Sequence, residues 1–325
     1  MFAPTILAAA LVMTGSAASS HPAPATSISA AQAKPAAREP QTNQTVDVKK
    51  GLRLRLDNFA GEVVVRTWTR DAVRIVANHD PRAKVRTSTT AAALTIQSES
   101  GGRGSVDYEI TAPAWMPLTI TGTYIFVTVE GAQSDVSAET TRGDINIKGG
   151  VGTVVAKTVE GQVVIEGARG RVTASSVNDK ILITDTSGDI NADTTNGDIT
   201  LTQIKASSAT VSTINGDVRF EGQPADGARY RLTTHNGDVI ATVPQTSNAT
   251  FVVRTYQGDF ASTLKLEGPP RGDARQGRRQ TYTLGSGSAE FEIETFGGSI
   301  RLRAPTAGAP AKAKEEQPTA RGGQV

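Results

Sequence analysis

The sequence predicts an all-β protein, a single-stranded β-solenoid (β-helix) with coils of about 18 to 21 residues, preceded by a β-rich N-terminal cap region. Three observations carry that expectation. Turn residues recur every nine positions at Gly143, Gly152, Gly161, Gly170, Asp179, Gly188 and Gly197. A short apolar alternation follows each main turn. The composition, with 38% hydrophobic and only 5% aromatic residues, suits thin coils filled by aliphatic side chains.

In chain order, residues 1–20 read as a signal peptide. An apolar stretch from Ile6 to Met13, too short to span a bilayer, is followed by the small residues Gly15, Ser16, Ala17 and Ala18. The implied destination is export, to the periplasm, the cell surface or the extracellular space. Residues 21–44 are rich in Ala, Pro, Ser, Thr and Gln and read as a disordered linker, and 304–325 as a disordered C-terminal tail. The absence of cysteine excludes a disulfide framework and a lipoprotein thiol. With 34 basic and 32 acidic residues the chain has no global field to draw in nucleic acid.

From 45 to 121 the alternating pairs Leu54 and Leu56, Val63 and Val65, Val73 and Ile75, Leu94 and Ile96, Tyr108 and Ile110, and Leu118 and Ile120 mark short strands at irregular spacing. Trp68 and Trp115 are expected to plug the open end of the core there. The repeats proper run from 122 to 303. Three positions before the main turns stand Thr140, Thr158, Ser176, Thr194, Thr213, Thr234, Thr255 and Thr295. Asn178, Asn196, Asn215 and Asn236 immediately precede them, and Asp144, Asp198, Asp217, Asp238 and Asp259 follow. The turn glycines are expected to need positive φ, with Asp179 as the one substitute. Beyond each turn, pairs such as Ile145 and Ile147 or Ile199 and Leu201 should face inward, and Asn146, Thr200, Arg219 and Arg301 outward.

The segment NFAGEVVV from Asn58, the strand, proline and strand passage YEITAPAWMPLTI from Tyr108, and the repeats TTNGDITL from Thr194 and TINGDVRF from Thr213 resemble the bacterial "putative adhesin" family. This is a β-strand repeat domain formerly of unknown function, like DUF4097. The resemblance implies a β-solenoid in the envelope or at the cell surface with an adhesin-like role, and it supplies no catalytic residue.

Asp198, Asp217, Asp238 and Asp259 should lie on neighbouring coils, where carboxylates could share calcium. The facing half-coils lack the GGxGxD pattern of calcium-binding repeats, so hydrogen bonds to turn amides are the stronger expectation. Ladder hydrogen bonds are likewise expected for the Thr and Asn columns in place of an ice-binding or glycan-binding hydroxyl array. The three histidines, His21, His79 and His235, form no nucleophile, base and acid pattern, and no zinc set exists. The insertion 266–280 concentrates Arg271, Arg275, Arg278 and Arg279, which could contact acidic groups, but no aromatic interleaves with it in sequence. The Arg-Gly-Asp triplets at 142–144 and 271–273 are short enough to recur by chance. No catalytic, cofactor or metal residue is therefore assigned. The expected function is noncatalytic surface or envelope interaction, with a cell-surface glycan or an envelope component as partner. A carbohydrate-active lyase or glycosidase on a β-helix is the alternative.

Overall fold

The computed structural model describes residues 42–81, 83–99, 104–269 and 277–305. The signal peptide, nearly all of both expected tails, and Arg271 and Arg275 of the basic insertion lie outside them. Among the described residues all regular structure is β, and no helix is long and apolar enough to cross a membrane.

The first seven strands are β1 (Thr42–Asp47), β2 (Arg53–Trp68), β3 (Ala72–His79), β4 (Lys84–Thr89), β5 (Ala93–Glu99), β6 (Val106–Pro113) and β7 (Leu118–Ala132). Then come β8 (Val136–Glu139), β9 (Ile145–Gly149), β10 (Val151–Lys157), β11 (Val163–Glu166), β12 (Arg169–Ser175), β13 (Ile181–Thr184), β14 (Ser187–Asp193) and β15 (Ile199–Asn215). The chain continues through β16 (Val218–Gly222), β17 (Arg229–Asn236), β18 (Val239–Thr242), β19 (Ala249–Thr255), β20 (Phe260–Ser262), β21 (Gln280–Leu284), β22 (Ala289–Thr295) and β23 (Ile300–Arg303).

The repeat is a parallel, solenoid-like stack. Val154 of β10 pairs with Val172 of β12, Val172 with Ile190 of β14, and Ile190 with Ala209 of β15. A second row runs Ile145, Val163, Ile181, Ile199, Val218 and Val239 through β9, β11, β13, β15, β16 and β18. Each rung thus gives one strand to each row. Ile145 and Ile147 are fully buried and the Asn146 between them is half-buried, so the period-two alternation fills a core between the rows. Toward the C-terminal end that core turns aromatic. Phe291 stacks on Tyr230 at 4.4 Å and on Phe251 at 4.9 Å, with Phe220 edge-on at 5.5 Å.

Stacking order and chain order diverge at both ends. The spacing places the turn at Gly258 next after Gly237 and Gly298 last, but β22 pairs with β17 on one side and β19 on the other. In the second row β23 likewise lies between β18 and β20. The turns therefore stack as Gly237, Gly298, Gly258. At the other end β2 pairs in parallel with β7 on one side and with β5 and β6 on the other, so parallel stacking reaches into the region the sequence marked only as a cap. Antiparallel strands finish both ends. Strand β4 lies against β5, β3 against β6, β1 against β3, and β21 against β19. Trp68 and Trp115 sit half-buried at the β2 end; the indole of Trp68 donates to Ala72 O at 2.7 Å and that of Trp115 to Asp71 Oδ1 at 2.9 Å.

Candidate interaction surface

The main turns line up along one edge of the stack and are held by repeated bonds between coils. From Thr158 onward the hydroxyl three residues before a turn donates to the carbonyl of the turn residue on the adjacent rung, whereas Thr140 donates to Thr123 O and Arg142 O. Thr158 reaches Gly143 O at 3.2 Å, Thr194 Asp179 O at 3.1 Å, Thr213 Gly197 O at 3.0 Å, Thr234 Gly216 O at 2.8 Å and Thr295 Gly237 O at 2.9 Å. Positive φ occurs at Gly143, Gly161 and the intermediate turns Gly152, Gly170 and Gly188, but not at Gly197, Gly216, Gly237 or Asp179. At Gly216 the requirement is close approach, because a Cβ there would overlap the carbonyl oxygen of Gly197. The positive-φ expectation is thus corrected for the later turns.

The Asp column serves the backbone. Asp198 Oδ1 accepts the amide of Asp217 at 2.8 Å, Asp217 Oδ1 that of Asp238 at 2.9 Å, and Asp238 Oδ1 that of Ser299 at 2.8 Å. The second oxygens face guanidinium groups. Arg219 reaches Asp198 Oδ2 at 3.0 Å and Asp217 Oδ2 at 2.6 Å, and Arg301 pairs with Asp238. The Ser299 amide and then Arg301 hold the Asp238 carboxyl below the usual aspartate range. Both oxygens of these carboxylates are already engaged, which leaves them poor calcium ligands.

The Asn column is an amide ladder. Asn196 Nδ2 donates to Asn178 Oδ1 at 2.9 Å, Asn215 to Asn196 at 2.8 Å and Asn236 to Asn215 at 2.9 Å. At least one side-chain N–H per residue remains outside these bonds, and all four asparagines are exposed.

Beside that ladder runs a feature the sequence reading missed. Eight large hydrophobic side chains are exposed among the described residues, and seven of them, Phe59, Tyr124, Phe126, Val159, Val177, Ile214 and Phe296, lie on this edge. Backbone bonds fix their alignment. The amides of Asn178 and Asn196 donate to Val159 O and Val177 O on the preceding rungs, and the amide of Gly297 to His235 O. The exposed His235 ring stacks on Phe296 at 4.8 Å, and Tyr256 lies 5.3 Å beyond. At the other end Phe59 meets Tyr124 edge-on at 5.5 Å, under the guanidinium of Arg142. Five of them, Phe59, Val159, Val177, Ile214 and Phe296, stand two residues before a turn or align with that position, while Tyr124 and Phe126 flank the turn position, and the sequence marks that column with no single residue type.

Other candidates fall into structural roles. In the 142–144 triplet Arg142 binds Glu160 at 2.5 Å and Asp144 Oδ1 accepts the Gln162 amide at 2.8 Å; the 271–273 triplet lies outside the described residues. In the basic insertion Arg279 pairs with Glu292, and the Gly277 amide ties to Thr255 O at 2.8 Å, so the fold brings this segment beside Tyr256. His79 bridges Thr42 and the Asp80 carbonyl. An open groove of about 440 Å³ crosses β15, β17 and β22, with Arg231 and Glu292 paired at 2.7 Å on its floor.

No curated protein matches the chain. Among solved structures it is similar to a "putative adhesin" from Parabacteroides merdae, at 7% identity over 82% of this chain and 96% of that one, TM-score 0.42. It is also similar to a "putative lipid binding protein" from Parabacteroides distasonis, at 11% identity over 82% and 96%, TM-score 0.38. A "putative cell adhesion protein" from Clostridium sporogenes matches at 8% identity over 81% and 100%, TM-score 0.19. The Toastrack DUF4097 family model matches residues 53–303, which span the parallel stack from β2 to β23, and the chain belongs to that family.

Proposed function

We propose that the chain is an exported, noncatalytic, adhesin-like protein built as a single-stranded β-solenoid that binds an envelope component or a cell-surface glycan. The observation that supports this reading is the alignment of seven exposed large hydrophobics along one edge. Scattered apolar residues are ordinary on a surface, whereas an alignment of them on one edge, beside polar side chains, marks a contact site. Ladder bonds engage the regular acids of the turns, which favours scaffolding over acid–base work for them. The test is saturable binding of the purified full chain to isolated envelopes. Absence of binding overturns the adhesin-like reading, and glycan turnover abolished by one acidic substitution overturns the noncatalytic one.

A further inference from the structure

The edge is not uniform, and its middle identifies a ligand class. From Val177 to Phe296 the ridge, exposed at every rung but that of the half-buried Thr195, and the neighbouring column carry Val177 and Asn178, Thr195 and Asn196, Ile214 and Asn215, His235 and Asn236, and Phe296 and Gly297. Across these rungs neither column bears a carboxylate, an ammonium or a guanidinium group. The nearest regular charges are Asp179 and Lys180, one of each sign, and Asp198, Asp217 and Asp238, which pair with Arg219 and Arg301 and leave one carboxylate in excess. An anionic polymer finds no positive field here to hold it.

We infer that this strip binds a neutral, extended polysaccharide laid along the stack, with its sugar rings over the apolar ridge and its hydroxyls on the asparagine ladder. This rests on the adhesin-like reading above and gives its ligand a chemistry. Three physical features agree. Rungs repeat at about 4.8 Å, close to the advance of one pyranose unit in an extended chain, so ring after ring can meet rung after rung. The ladder bonds freeze each Asn in one orientation while leaving a spare N–H, so little side-chain freedom is lost on binding. The ridge is one side chain wide and flanked by polar columns, too narrow to supply the roughly 800 Å² per partner of an ordinary protein interface.

The experiment is retention of the full chain on microcrystalline cellulose, chitin and insoluble β-1,3-glucan, with immobilised heparin as the anionic comparator. Retention on at least one neutral polymer, little changed by salt, is expected. It should fall tenfold or more in Ile214→Ser and in Val177→Ser, with melting temperature unchanged. Val151→Ser, which alters the one exposed large hydrophobic off this edge among the described residues, should bind as wild type. No retention on any neutral polymer, equal retention by the ridge variants, or a preference for heparin that salt abolishes would each overturn the assignment. So would a concentration-dependent dimer lost in the same variants, which would make the ridge a self-interface. Where the ridge variants still bind whole envelopes as well as wild type does, the adhesin-like reading stands and only this ligand falls.

Discussion

Thr213 and Gly216 stand three residues apart and hold one junction between coils by opposite means: the threonine adds a bond and the glycine adds nothing. Thr213→Val keeps the shape and deletes the hydroxyl that satisfies Gly197 O, so it should cost about 1 kcal/mol in urea unfolding. Gly216→Ala places a methyl group on that carbonyl and should cost about 3 kcal/mol. Equal losses would mean that packing at the junction is loose. Both residues were visible in the sequence as columns, but the reason for the glycine was legible only at early turns such as Gly161, where φ is positive. At Gly216 the demand comes from a carbonyl on another coil, which no local pattern encodes. Asp238 adds a pH dependence. Its folded-state pKa lies below its unfolded value, so its stabilising charge acts fully above the ordinary aspartate range and is lost as pH falls through the depressed value. Asp238→Asn keeps an oxygen for the Ser299 amide and removes the charge. Its melting temperature should lie below wild type at neutral pH and converge with it in acid; a gap independent of pH would show that the charge contributes nothing.

Within a strand the same logic becomes a contrast of faces. Ile199 is fully buried and Thr200, next to it in β15, is half-buried on the outer side. Ile199→Asp should therefore abolish cooperative unfolding or cost more than about 4 kcal/mol, while Thr200→Asp stays within about 1 kcal/mol. Similar losses would refute the register. Phe291 in β22 touches Tyr230, Phe251 and Phe220, so Phe291→Ala should cost about 3 to 5 kcal/mol. The inward positions were readable because alternation and turn residues both repeat along the chain. The exposed ridge was not, because Val177, Thr195, Ile214, His235 and Phe296 share neither residue type nor neighbours in sequence. Only stacking makes a line of them, and only then does the asparagine column read as its polar rim.

At the scale of the molecule, the stacking order sets how the C-terminal end can fail. In a solenoid whose coils stack in chain order, removing the last coil costs one rung and its single interface. Here β22 and β23 are interior rungs, bonded to β17 and β18 on one side and to β19 and β20 on the other. Periodicity hid this, because Gly258 and Gly298 fit one column in either order. A chain ending at Leu284 loses β22 and β23, and with them the only parallel partners of β19 and β20 among the described strands. The hairpin of β19 and β21 is then left without a stack, and an isolated hairpin is marginal at best in water. Truncation at Leu284 should therefore expose the whole of 245–284 to limited proteolysis, while 118–236, whose rungs pair independently of it, stays protected. Protection of 249–262 in the truncated chain would show that β19 can dock directly on β17, and that intercalation of the final coil is not what fastens this end.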